Sequence, residues 1–171
     1  MRLTEPADAG AVLDLLSEAA TWTAANGRAN WPARFPTAIV ERGIERGELF
    51  VAELDGELVA TLALQWSDHR FWGEQPPDAG YVHRLAVRRA HAGRGLGADA
   101  LEWASAQVRE RDRRWLRLDV PADNLPLGAY YERLGFRPRG QAEGELTDPD
   151  GRVVQWMVRR FERDTSEERN P

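Results

Sequence analysis

Apolar residues at Val12, Leu13, Leu16 and Ala19/Ala20 recur at the three-to-four spacing of one helix face, with Pro6 and Asp8 as entry residues and Asp14 and Glu18 off the stripe. A first helix of roughly three turns is expected there. The connection from Trp22 to Phe35 is too aromatic for a linker, and Phe35-Pro36 closes it before a second helix over Thr37 to Arg46. The period then changes. Leu49 to Leu54 and Glu57 to Trp66 read as strands, and Asp55-Gly56 between them is a two-residue hairpin signal. Ser67 to Ala79, with Phe71, Trp72, Gly73 and Pro76-Pro77, reads as a long irregular loop. Tyr81 to Val87 is a third strand, followed by a glycine cluster and a helix over Gly95 to Arg109 with Leu101, Ala104 and Val108 on one stripe. After a strand at Trp115 to Val120, Asp123 or Asn124 caps a short helix whose inward residues would be Leu127, Tyr130, Tyr131 and Leu134, ended by Gly135. Further strands begin at Phe136 and span Val153 to Arg160, giving an α/β architecture with a mixed sheet.

At 171 residues the chain has the size of one domain, assigned here to 1–161, with 162–171 as a polar tail. No apolar run approaches the ~20 residues of a membrane helix, and the start lacks the hydrophobic stretch of a signal peptide, so a cytoplasmic protein with no membrane partner is expected. There is no cysteine, which excludes disulfides, thiolate metal sites and an acyl-cysteine intermediate. His69, His83 and His91 lack the close pairing of a zinc site, so no metal is expected. A net charge of −5 weighs against a nucleic-acid partner. All 23 basic residues are arginine, so the protein has no lysine side chain of its own to modify.

The chemistry concentrates at Val87-Arg88-Arg89-Ala90-His91-Ala92-Gly93-Arg94-Gly95-Leu96-Gly97-Ala98, where glycines after a strand and at a helix start expose backbone N–H groups to an anion. Gly93, Gly95 and Ala98 fit a G-x-G-x-x-A dinucleotide fingerprint, with Asp119 about 20 residues on where a ribose-binding acid would stand. The context does not fit. Five residues separate Val87 from Gly93, whereas the dinucleotide turn puts its first glycine almost at the strand end. A tight helix entry without ligand would sacrifice helix propensity at three alternating glycines, so phosphate binding is preferred.

Gly93-Arg94-Gly95-Leu96-Gly97 after a strand resembles the pyrophosphate loop of the GNAT acetyltransferases, Q/R-x-x-G-x-G/A, here spanning Ala92 to Gly97 with Ala92 in place of Gln or Arg. Asn124, Tyr131, Glu132, Leu134, Gly135 and Phe136 resemble the same family's N-x6-Y-E-x-x-G-F segment, with Leu127 where many members have alanine. The two motifs and their surrounding strands cover about Leu49 to Phe161. The resemblance implies a GNAT-like, mostly antiparallel mixed sheet, splayed between two central strands and flanked by helices. It implies acetyl-CoA as acyl donor and the transfer of its acetyl group to an amine, a primary amine of a small molecule being the leading acceptor. A protein amino terminus or lysine is the rival acceptor, and a non-catalytic acyl-CoA sensor the rival class. A homodimer is compatible with the family.

By the same resemblance, Leu85, Ala86 and Val87 would offer backbone groups to the pantetheine, and Arg88, Ala92, Gly93, Arg94, Gly95, Leu96, Gly97 and Ala98 would border the pyrophosphate. Asn124 and Tyr131 would complete the cofactor site, with Tyr131 donating to the departing sulfur. The family often has a glutamate base where this chain has Tyr81. His83, two residues on and on the same strand face, is the candidate base, with Tyr81 ordering a water. Trp31, Phe35 and Trp72 lie in segments that would flank the acceptor and are assigned to line it, the alternative being that they cover the core under long loops.

Overall fold

The computed structural model describes residues 1–28, 31–32, 34–147 and 153–166. In chain order the elements are β1 (Arg2–Leu3), α1 (Ala9–Ala25), α2 (Thr37–Glu45), β2 (Leu49–Leu54), β3 (Glu57–Gln65), α3 (His69–Trp72), β4 (Ala79–Val87), α4 (Leu96–Arg109), β5 (Trp115–Pro121), α5 (Leu125–Arg133), β6 (Arg137–Thr147) and β7 (Val153–Asp164). The strands form one seven-stranded mixed sheet in the order β1-β2-β3-β4-β5-β7-β6. The β4–β5 pair is parallel, whereas β1–β2, β2–β3, β5–β7 and β6–β7 are antiparallel. Among the described residues no helix is long and apolar enough to cross a membrane.

Two compact units divide the chain, the first being Met1–Leu64 with His83–Leu101 and the second Gln65–Val82 with Glu102–Pro171. In the first, Val12, Leu15, Leu16 and Ala20 of α1 are buried with Val40 of α2 and Leu49 and Val51 of β2. Leu15, rather than the expected Leu13, occupies the inner face, which turns the buried stripe by one position. The hairpin forms at Asp55-Gly56 as expected, both residues carrying positive φ, 51° and 82°. The two-residue strand β1 escapes pattern reading because so short a segment has no period.

In the second unit β7 lies between β5 and β6, and Phe161 in its second half is fully buried. The loop expected over Ser67 to Ala79 contains a helical turn, α3, whose entry is fixed by the Asp68 side chain accepting from the backbone N–H groups of Arg70 (3.1 Å) and Phe71 (3.3 Å). Capping by one aspartate thus replaces the helical period that four residues cannot display. β7 continues past 161 to Asp164, and Glu162 and Arg163 are buried, so the strand takes in the first part of the expected polar tail. Residues 167–171 of that tail lie outside the described residues.

An ion-paired core explains how two charged residues stay inside. Arg117 of β5 donates through Nε to Glu162 at 2.7 Å and through Nη1 to the Tyr81 hydroxyl at 2.9 Å. Its guanidinium also lies 5.1 Å from the Trp72 ring centre, so its charge is met by a carboxylate and an aromatic face rather than by water.

Candidate functional site

In the first unit the end of β4 leads into the glycine loop. Arg84, one residue past His83, has φ of 52°, a left-handed backbone costing on the order of 1–3 kcal/mol for a residue with a side chain. The two-residue alternation that relates Tyr81 to His83 therefore does not carry through to Leu85–Val87. Ala86 is buried in the core, and Leu85, Val87 and His83 are half-buried. Beyond the strand, the Arg88 backbone N–H donates to the Val59 carbonyl at 2.8 Å and its Nε to Leu58 O at 3.2 Å, which pins the start of the loop to β3.

Gly93 and Gly95 adopt φ of 79° and 85°, and a Cβ on either would meet nothing within 4 Å. Glycine is required there for backbone conformation, and the space beside it is open. The Asp99 N–H donates to Gly95 O at 3.0 Å, so the N–H groups of Leu96, Gly97 and Ala98 precede the helical ladder at the positive end of α4. This cradle fits a pyrophosphate. The flanking arginines are not equivalent. Arg88 pairs with Glu18 and Glu57 at 3.6 Å each, Arg89 stacks 4.0 Å over Trp22, and Arg94 is exposed with Nη1 3.4 Å from His91 Nδ1. Ala92 is exposed beside them.

In the second unit Asn124 caps α5, its Oδ1 accepting from the Leu127 N–H at 3.2 Å while the residue is 7% exposed. The helix ends at Gly135, φ 85°, where the Phe136 N–H donates to the Tyr131 carbonyl at 3.1 Å. The buried face of α5 is Gly128 and Tyr131, with Leu127, Tyr130 and Leu134 half-buried. Gly128 sits there because a Cβ would stand 3.2 Å from the Phe161 ring, a close approach that the expected inward residues gave no hint of. The Tyr131 ring meets Tyr130 and Phe136 edge to face at 5.4 and 5.6 Å. Burial, then Tyr130 and Asp119, hold its phenol well above the usual range, so it stays protonated.

Tyr81 is 2% exposed, with its hydroxyl accepting from Arg117 and its ring edge-to-face with Trp72 at 5.9 Å. Trp72 is 5% exposed in the core formed with Phe71, Ala79, Tyr81 and Val158. Phe35 is buried in the first unit's core, and Trp31 packs edge-to-face on it at 5.3 Å while remaining half-buried.

Two carboxylates stand outside the expected set. Asp119, half-buried on β5, and Asp68 have carboxylate oxygens within 4.8 Å of each other. Burial pushes the Asp119 carboxyl up to about 7; the Asp68 charge adds to the rise and Arg70 offsets part of it. In the sequence Asp119 stood out only as the acid of the rejected dinucleotide fingerprint, and Asp68 lay within a segment read as loop.

The profile of the acetyltransferase (GNAT) family matches residues 12–136. The chain is 34% identical over 142 residues to the uncharacterized N-acetyltransferase YesJ of Bacillus subtilis (strain 168), covering 78% of each protein. It superposes on a GNAT-family acetyltransferase of Listeria monocytogenes 4b F2365 with a TM-score of 0.74 and 25% identity, over 95% of this chain and 92% of that one. A Salmonella typhimurium fold relative, yncA, solved with its cofactor acetyl-CoA, gives a TM-score of 0.69 at 18% identity, over 99% and 95% of the two chains. The glycine cradle, the capped helix bearing Tyr131 and these likenesses agree: the chain belongs to the GNAT family of acetyl-CoA-dependent N-acetyltransferases.

Proposed function

We propose that the protein transfers the acetyl group of acetyl-CoA to the primary amine of a small molecule, by direct attack in a ternary complex. The observation that carries the reading is the loop, in which left-handed Gly93 and Gly95 border open space at the start of α4. The pyrophosphate is received by the N–H groups from Gly93 to Ala98, with exposed Arg94 beside them and Ala92 contributing backbone alone. Leu85 to Val87 offer backbone to the pantetheine amides. Arg88 orders the loop through its carboxylate pairs, and Asn124 orders α5 as its cap. The lack of cysteine supports direct attack, since no thiol is present to carry the acetyl group between half-reactions.

Tyr131 is the group assigned to the departing sulfur. A thiol has an unperturbed pKa of about 8.5, so a phenol held above its usual range does not surrender its proton readily. It donates a hydrogen bond to the developing thiolate and passes a proton on only as another arrives. Tyr81 positions Arg117 through its hydroxyl and Trp72 through its ring. Trp31 is the aromatic residue assigned to the acceptor, with Phe35 packed behind it.

A thiol-release assay with acetyl-CoA against a panel of small amines, peptides with free amino termini and lysine peptides tests the reading. Turnover with small amines supports it. Turnover with peptides alone replaces the acceptor class, and CoA binding without turnover on any amine would mark a sensor.

A further inference from the structure

We propose that Arg160 and Trp72, both in the second unit, form a binding site for a small carboxylate, held on the free edge of the guanidinium and by the indole N–H. Two cross-strand pairs of opposite charge face each other where β5 and β7 run side by side: Arg117 stands opposite Glu162, and Asp119 opposite Arg160. All four side chains therefore leave one face of the sheet. The first pair closes at 2.7 Å. The second does not, and among the described residues no carboxylate lies within ion-pair distance of Arg160.

Arg160 turns toward α3 instead. Val158, two residues earlier on the same strand face, lies in the core with Phe71 and Trp72. The Arg160 Nη1 donates to the Phe71 carbonyl at 3.4 Å, and the guanidinium carbon lies 5.4 Å from the Trp72 ring centre. The other edge of the guanidinium, on which Nε and Nη2 point in parallel, is left over. Its Nε is shut off from solvent and has no hydrogen-bond partner in the protein. Trp72, only 5% exposed, supplies a second such donor, since its Nε1 is also buried and without a partner. Arg117, the other cation against the Trp72 ring at 5.1 Å, is already committed to Glu162 and Tyr81. Arg160 itself is half-buried, which leaves a ligand an approach from solvent.

A buried N–H without an acceptor is destabilising, and a guanidinium withdrawn from water without a counter-ion more so. An occupant that removes both costs must accept two parallel hydrogen bonds from a flat fork, accept a third from an indole and carry negative charge. A carboxylate meets all three demands: its two oxygens match Nε–H and Nη2–H, and their remaining lone pairs can take the indole N–H. One negative charge is also the right amount. Asp119 stands across the register, with Asp68 carboxylate oxygen within 4.8 Å of its own, so a phosphate dianion would bring a second charge against them. The carboxylate belongs either to the acceptor amine, which makes the acceptor an amino acid and rests on the acetyl-transfer reading, or to a free small acid bound on its own.

A titration of the indole tests the site without any turnover. In 15N-labelled wild-type protein the Trp72 indole signal, identified by its loss in Trp72→Phe or by its through-space contact with the Tyr81 ring, should shift and saturate as sodium propionate is added at constant ionic strength. Propionamide, alike in size but uncharged, should leave it in place. Arg160→Gln should weaken the propionate response by on the order of 10-fold to 100-fold, and Arg160→Lys, which keeps the charge but not the fork, should restore little of it. A signal unmoved by propionate means that water or Asp119 meets these donors and overturns the site. An equal response to propionamide, or saturation by inorganic phosphate at lower concentration than by propionate, overturns its assignment to a carboxylate. These comparisons read the wild type, so they hold even if a variant fails to fold. The thiol-release assay with amino acids and their matching amides then identifies the source. If the acceptor supplies the carboxylate, the ratio of kcat/KM for acid over amide should fall by on the order of 10-fold or more in Arg160→Gln. An unchanged ratio alongside a propionate-sensitive indole assigns the site to a free acid. Absence of turnover with every amine overturns acetyl transfer, and the indole titration still decides the carboxylate site.

Discussion

Tyr130 and Tyr131 are adjacent on one helix, and the contrast between them isolates a single oxygen. Tyr131→Phe should leave fold and CoA binding intact while slowing transfer by on the order of 10²-fold to 10⁴-fold, and Tyr130→Phe should do much less. Steady-state rates of the two variants with one good acceptor check this; equal, wild-type rates would remove Tyr131 from the chemistry. Asp119 makes a prediction about stability. Its folded-state pKa of about 7 lies above the ordinary carboxyl value, so its stabilising contribution is complete below about 4 and is lost as pH rises through 7. Melting curves should therefore show Asp119→Asn gaining on wild type as pH rises from about 4 to about 7, with no further gain above 7 and no advantage below 4. The two residues were unequally legible. Tyr131 was singled out because a fixed spacing from Asn124 to Phe136 accompanies it, whereas the pairing of Asp119 with Asp68, 51 positions earlier, is announced by no local pattern in either segment.

At the scale of elements, the loop between β4 and α4 is built on conformations rather than on side chains. Valine at Gly95 would find open space but the wrong backbone, so Gly95→Val should distort the loop and abolish CoA binding, measured by calorimetric titration, while α4 and the β4 strand keep their circular dichroism. Unchanged affinity would exclude the loop from the site. The glycine spacing made this element readable before any coordinates. The same period rules found α1, α2, α4 and the β2–β3 hairpin, each long enough to repeat, and they missed β1 and α3, which are two and four residues long. The aromatic segments allowed two readings from the outset, since Phe35 and Trp72 are as useful for filling a core as for lining a pocket, and both are buried in cores.

For the molecule as a whole, the proposed function links binding and folding, since a folded loop that holds CoA competes with an unfolded chain that does not. At a hundredfold excess over its dissociation constant CoA should add about 2.7 kcal/mol, read as a concentration-dependent rise in Tm, and Gly95→Val should show none. The same scale brings out a consequence of β6, the last strand in the sheet order, which among the described residues pairs with β7 alone. An outer strand of eleven residues is a template on which other chains can polymerise. Here it starts Arg137-Pro138-Arg139, its register slips between Pro138 and Gln141, and Glu143 and Glu145 follow, both exposed. A proline without an N–H, a local kink and charges of both signs spoil that template, so the strand that closes the sheet also guards against fibril growth and keeps concentrated protein from sticking edge to edge.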